Sequence, residues 1–182
     1  MRFRSYMGPL LLGLSCFSAA GAAQLPPPVP RAPPANCTTA EHRQLDFWVG
    51  QWDVYRTGTE ALAGRSLIEA VYNGCAIREN WSPFDMNAGG SLSSYDRAAG
   101  IWRQTWVDST GERIDYRGRI ENGHMVLIAE RPAPAGQRRL TRVTQYPEDA
   151  AIRQIGETSA DGGQTWVPSY DYTYRPAGSS PR

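Results

Sequence analysis

The chain has 182 residues, 20% of them charged, and a formal net charge of +1. That length points to one domain. Near neutrality leaves no electrostatic footprint for nucleic acid, and 19 basic residues without a single lysine exclude Schiff-base and lysine-nucleophile chemistry.

The first 23 residues read as a signal peptide. Arg2 and Arg4 form a positive n-region, and Met7 to Phe17 form an apolar run too short to span a bilayer as a helix. The small residues Ala19-Ala20-Gly21-Ala22-Ala23 fit a cleavage site, whereas Gly13-Leu14-Ser15 before Cys16 makes a poor lipobox. Cleavage removes two arginines and no acid, taking the formal charge from +1 to −1. The mature chain then has no transmembrane helix and is exported, periplasmic or secreted. Two cysteines remain, Cys37 and Cys75, and an even pair in an oxidising compartment is expected to be a disulfide.

Residues 24–36 carry six prolines and form an extended spacer. The globular domain follows over residues 37–175, and residues 176–182 form a Gly/Ser/Pro tail expected to be disordered. At its start Thr38-Thr39-Ala40-Glu41 is a capping-box pattern. His42, Leu45, Trp48 and Val49 recur at helical spacing, so a short helix is predicted to end near Val49, with Gly50 just beyond. From Gly50 onward the period changes to two. Strands are predicted near 52–57, 66–73, 76–82, 91–96, 101–107, 113–121, 125–130, 138–146, 152–157 and 165–174. Turn formers separate them, and Asn122-Gly123 is the best tight-hairpin signal. Ile114, Tyr116, Gly118 and Ile120 share one face of a strand whose other face is charged, a half-buried pattern. Trp166, Tyr170, Tyr172 and Tyr174 are read as one face of the last strand. Ser159-Ala160-Asp161-Gly162-Gly163-Gln164-Thr165-Trp166 matches an Asp-box hairpin, with Asp161 as turn cap and Trp166 as packing anchor.

The run Leu45-Asp46-Phe47-Trp48-Val49-Gly50-Gln51-Trp52-Asp53 resembles the entry strand of calycin-like barrels, where a short helix plugs one end and Gly-x-Trp follows. Gly74-Cys75-Ala76-Ile77-Arg78-Glu79-Asn80-Trp81, Ser94-Tyr95-Asp96 and Trp102-Arg103-Gln104-Thr105-Trp106-Val107-Asp108 extend the resemblance over nearly the whole domain. The pattern is similar to an exported bacterial family of unknown function related to nitrobindin-like and lipocalin-like barrels. It implies an all-β, antiparallel calycin-like barrel of about ten strands with a short N-terminal plug helix. It implies no activity. The nitrobindin branch holds haem through a histidine near its C-terminus, but this chain has none after His124. No cofactor and no metal are expected, and no motif for nucleophilic or zinc catalysis is present.

In a small barrel alternate residues face inward. Parity brings Glu79, Trp81, Gln104, Trp106, Arg142, Gln154 and Tyr172 into one interior as candidate ligand-binding residues, with Arg142 as the natural partner of Glu79. The preferred function is a binding module for a small, partly apolar molecule. The rivals are a hydrolase using a pair among Glu79, Asp96, Asp108 and Glu157, and an envelope interaction protein whose barrel is merely filled.

Overall fold

The computed structural model describes residues 37–133 and 138–178. The expected signal peptide and proline-rich spacer, and residues 179–182 of the tail, lie outside the described residues.

Ten strands form: β1 (Gly50–Arg56), β2 (Leu62–Val71), β3 (Ala76–Pro83), β4 (Gly89–Asp96), β5 (Ile101–Asp108), β6 (Arg113–Glu121), β7 (His124–Pro132), β8 (Arg138–Glu148), β9 (Ala151–Ser159) and β10 (Val167–Pro176). Each pairs antiparallel with its sequence neighbour, and β1 pairs with β10, so the sheet closes into a barrel with no free edge. β10 runs through Pro176 and the Ala177 amide donates to the Gln51 carbonyl at 2.9 Å, so the ordered chain continues past residue 175.

Side chains alternate as the sequence predicts. On β6, Ile114 and Tyr116 are buried while Arg113, Asp115, Arg117 and Arg119 are exposed. Outward charges pair across neighbouring strands, as in Arg78–Glu69 at 2.7 Å and Arg103–Asp96 at 2.8 Å. Such exposed pairs each contribute at most about 1 kcal/mol and set solubility more than stability. At the β6–β7 hairpin Asn122 and Gly123 have φ of 50° and 82°, the positive values a tight primed turn requires at both central positions.

The connection after each even-numbered strand, up to β8–β9, lies at one end of the barrel, and the N-terminal segment closes that end. Instead of one α-helix it makes two short 3₁₀ turns, Ala40–Arg43 and Asp46–Trp48. Thr39 does not cap the helix amides; its hydroxyl bonds His42 Nδ1 at 2.8 Å. The bend between the turns drives both Leu45 and Trp48 to full burial. Each such side chain stabilises by about 1.5–3 kcal/mol, more than a continuous helix this short could offer. Two indoles lock the plug: Trp102 Nε1 donates to Gln44 Oε1 at 3.0 Å, and Trp52 Nε1 to the Trp48 carbonyl at 2.9 Å. Trp52 is itself partly buried and packs edge-on to Tyr174. The Cys37–Cys75 disulfide ties the start of the plug to the β2–β3 turn, with Cα atoms 5.1 Å apart.

At the opposite end the β9–β10 hairpin is built around Asp161. Its carboxylate accepts the Gln164 and Thr165 amides at 3.0 and 2.9 Å and the hydroxyls of Ser159 and Thr165 at 2.7 and 2.6 Å. Trp166 precedes β10, and a register shift between Pro168 and Tyr170 separates it from the tyrosine face. The expectation that Trp166 shares that face is therefore corrected: its indole lies outside the barrel beneath the Arg142 guanidinium, 4.1 Å away.

Candidate functional site

The interior is filled at the plugged end and hollow toward the other. The hollow is a cavity of about 390 Å³ reached from the end bearing the β3–β4 and β9–β10 connections. Its origin is a contrast in side-chain size. β4 points only Gly89, Ser91 and Ser93 inward at this level, between β3 and β5, which carry Trp81 and Trp106. Large rings lie over glycines of adjacent strands. A Cβ at Gly89 would meet the Trp106 ring at 2.6 Å, and one at Gly156 would meet the Tyr170 ring at 2.1 Å. These glycines serve close approach of a ring, so any side chain there would push aromatic surface into the cavity.

The walls are aromatic. Tyr170 and Tyr172 stack at 5.0 Å, and Trp81 meets Tyr172 at 5.9 Å across the barrel. Trp106 and Tyr116 complete the lining from β5 and β6. Burial raises the phenols of Tyr170 and Tyr174 well above their ordinary range and pushes Tyr116 up to about 12, so all three stay neutral at physiological pH.

The polar groups are few and placed. Glu79 is 7% exposed; Ser91 Oγ donates to its Oε2 at 2.9 Å, and Ser66 Oγ lies 3.4 Å from Oε1. Desolvation on burial raises its carboxyl from 4.5 to about 7, with the two serine hydroxyls opposing the shift. Gln104 donates from Nε2 to Ser93 Oγ at 3.0 Å, and Tyr174 OH donates to Gln154 Oε1 at 3.1 Å. Asp108 and Arg131 stand farther out on the lining, and Arg131 is bridged to Glu112.

Six of the seven residues named from parity line this cavity: Glu79, Trp81, Gln104, Trp106, Gln154 and Tyr172. Arg142 does not. On β8 it is Thr141, Val143 and Gln145 that are buried, and Arg142 faces outward with Leu140 and Thr144. Its guanidinium is 2.7 Å from Glu157 and covers Trp166. Parity on β8 rested on the apolar Leu140, but Leu140 packs outside the barrel against Gly163 of the Asp-box turn. An outer carboxylate, an indole face and solvent satisfy a guanidinium at less desolvation cost than the interior does. Among the described residues Glu79 therefore has no arginine partner. The sequence reading passed over Ser66, Ser91, Ser93 and Tyr116; the period-two run of small residues from Gly89 to Ser93 was the available signal.

Of the four acids proposed to converge, Glu79 and Asp108 share the cavity lining, Glu79 deep and Asp108 farther out, and the other two lie elsewhere. Asp96 pairs with Arg103 and accepts the Ala98 and Ala99 amides at the plugged end. Glu157 is on the outer face with Arg142. Asp108 accepts the Thr110 and Glu112 amides of its own turn. Glu79 alone sits in the buried interior. His42 packs edge-on to Tyr95 in the plug and His124 stacks on Tyr146. Among the described residues no cluster of three or more His, Cys, Asp or Glu could hold a metal ion. Comparison of the chain with protein-family models and with curated proteins finds no match, so the chemistry of the cavity itself carries the functional reading.

Proposed function

We propose that the domain is an exported binding module for a small, partly apolar molecule held inside the barrel. The observation that carries this reading is the cavity: about 390 Å³, aromatic on its walls, with Glu79, Gln104 and Gln154 as isolated polar anchors. Its size lies within the range typical of small-molecule sites, and a wall of rings with a few fixed polar groups is how such sites orient a ligand. Of the four acids only Glu79 and Asp108 line the cavity, and Asp108 is engaged by the amides of its own turn, which speaks against the paired-carboxylate hydrolase. The hollow itself speaks against a barrel interior that is only packed. The signal-like N-terminus and the disulfide support export. Among the described residues no helix is long and apolar enough to cross a membrane.

The test is a titration of the purified domain with the fluorescent apolar probe N-phenylnaphthylamine, read by its emission and by quenching of tryptophan. Saturable one-to-one binding is expected, weakened at least tenfold by Trp106→Ala in a variant that retains its cooperative unfolding. Absence of saturable binding by the wild type would remove the reading.

A further inference from the structure

We infer that the ligand is an organic cation, an ammonium or related group on a small apolar body, whose charge is met by Glu79 and by the surrounding ring faces. This rests on the binding reading above and adds the ligand's charge. The cavity carries one deeply buried ionisable acid, and the base on its described lining, Arg131, is bridged to Glu112 instead. Glu79 is reached by two serine hydroxyls, Ser66 from β2 at Oε1 and Ser91 from β4 at Oε2, and one donor on each carboxylate oxygen suits the ionised form. Among the described residues none supplies the cation that a buried carboxylate needs. Arg142 points outward to Glu157, Arg131 is bridged to Glu112, and Arg56 is bridged to Asp85 at 2.9 Å. Asp108, the other acid on the lining, has no ion-pair partner among the described residues. The cavity thus has an excess of negative charge, which disfavours an anionic ligand outright.

The rings strengthen the case. Trp81, Trp106, Tyr116, Tyr170 and Tyr172 present aromatic surface around the same space. The faces of such rings are negative, and cages of this kind hold alkylammonium groups by cation–π attraction, most strongly when water is excluded. A neutral hydrocarbon would gain the apolar contact but leave Glu79 without a counter-charge. A cation gains both.

Ser66 on β2, Ser91 on β4, Gln104 on β5 and Gln154 on β9 do not titrate. Tyr116 on β6 and Tyr170, Tyr172 and Tyr174 on β10 are all shifted upward by burial and remain neutral near pH 7. Asp108 on β5 and Arg131 on β7, the latter bridged to Glu112, also face this space. Glu79 is the interior group whose charge changes between pH 6 and 8.

The experiment uses a matched pair of probes of one shape: benzyltrimethylammonium, whose charge is independent of pH, and its uncharged carbon analogue neopentylbenzene. Binding to the full mature chain is followed by tryptophan fluorescence at pH 6 and pH 8. At pH 8 the cation is expected to bind at least tenfold tighter than the hydrocarbon. Its affinity should fall about tenfold at pH 6, because only the ionised fraction of Glu79 then receives it. In Glu79→Gln the cation's advantage over the hydrocarbon should shrink at least fivefold, leaving what the ring faces supply, and the pH dependence should vanish. If the hydrocarbon binds as tightly as the cation at pH 8, or the cation's affinity ignores pH, the charge assignment is overturned while the cavity reading stands. A preference for the cation that is undiminished in Glu79→Gln overturns the assignment to that residue. If neither probe nor N-phenylnaphthylamine binds, both readings fall together.

Discussion

Glu79→Gln should make the barrel more stable at pH 8 and leave it little changed at pH 5. The carboxyl ordinarily titrates at 4.5 and in the folded barrel at about 7, because burial penalises its charged form. A group whose folded value is raised lends its stability below the unfolded value and withdraws it as pH rises through the folded one. Here that window runs from 4.5 to about 7. The gap between these values, at about 1.4 kcal/mol per pH unit, makes the full loss roughly 3 kcal/mol, of which about 2.5 kcal/mol falls between pH 5 and 8. Glutamine keeps the shape and the acceptor for Ser91 but cannot ionise. Urea unfolding of both proteins at pH 5, 6, 7 and 8 gives the comparison. The surface carboxylates held low by their partners, Asp96 by Arg103 and Asp115 by the Thr105 hydroxyl and then Arg113, are common to both chains and titrate below this range, so they cancel. The two stabilities should diverge progressively with pH. Curves that stay parallel to within about 0.5 kcal/mol would show that Glu79 is not ionising in a desolvated site, and the reasoning would fail.

Three further outcomes are expected. Replacing Cys37 and Cys75 together by Ala opens a loop closed over a separation of 38 residues; the loop-entropy relation gives a loss of about 4 kcal/mol by urea unfolding, and a loss under about 1 kcal/mol would mean the plug is held without the tether. Gly156→Ala places a methyl where the Tyr170 ring now lies, 2.1 Å from a ring carbon, so N-phenylnaphthylamine affinity should fall at least tenfold with a stability cost of about 1–3 kcal/mol. Arg142→Ala should leave probe affinity within twofold, because the guanidinium faces Glu157 on the outside; a large fall would return Arg142 to the cavity.

The barrel was legible because its signals are local and repeated. Period-two alternation, as at Ile114 and Tyr116 against Arg113 and Asp115, identifies a strand and its wet face without knowledge of its neighbours. Turn residues such as Asn122-Gly123 then fix where strands end. The plug was less legible. Thr38-Thr39-Ala40-Glu41 carries the local signature of an α-helix start, but burying both Leu45 and Trp48 in the barrel end requires a bend that two 3₁₀ turns provide. Tertiary packing outweighed propensity. Within the site, parity placed residues correctly relative to one another on each strand, and it failed only where the choice of face depended on a distant element. Leu140 on β8 is apolar yet faces outward, because the Asp-box turn between β9 and β10 returns to cover it. Nothing near residue 140 in sequence announces that cover.

The cavity also explains a local weakness in the sequence. Gly and Ser are poor strand formers, and glycine inside a strand loses conformational entropy without side-chain packing in return. Yet the inward positions of β4 are Gly89, Ser91 and Ser93, and Gly64 and Gly156 take inward positions on β2 and β9. Branched apolar residues at these positions would raise strand propensity and fill the interior. A closed barrel of ten strands encloses more width than its own side chains readily fill, and here the plug takes up one end with Leu45 and Trp48. At the other end the small residues keep that width open, and they stand where Trp81, Trp106 and Tyr170 need room. The serines do more than leave space, since Ser66 and Ser91 supply the hydroxyls that surround Glu79. The same substitutions that would strengthen the strands would both fill the cavity and strip the carboxylate of its hydrogen bonds. Poor strand propensity, an open interior and a buried acid held by serine hydroxyls within it therefore have one origin, the choice of Gly and Ser at inward positions of β2, β4 and β9.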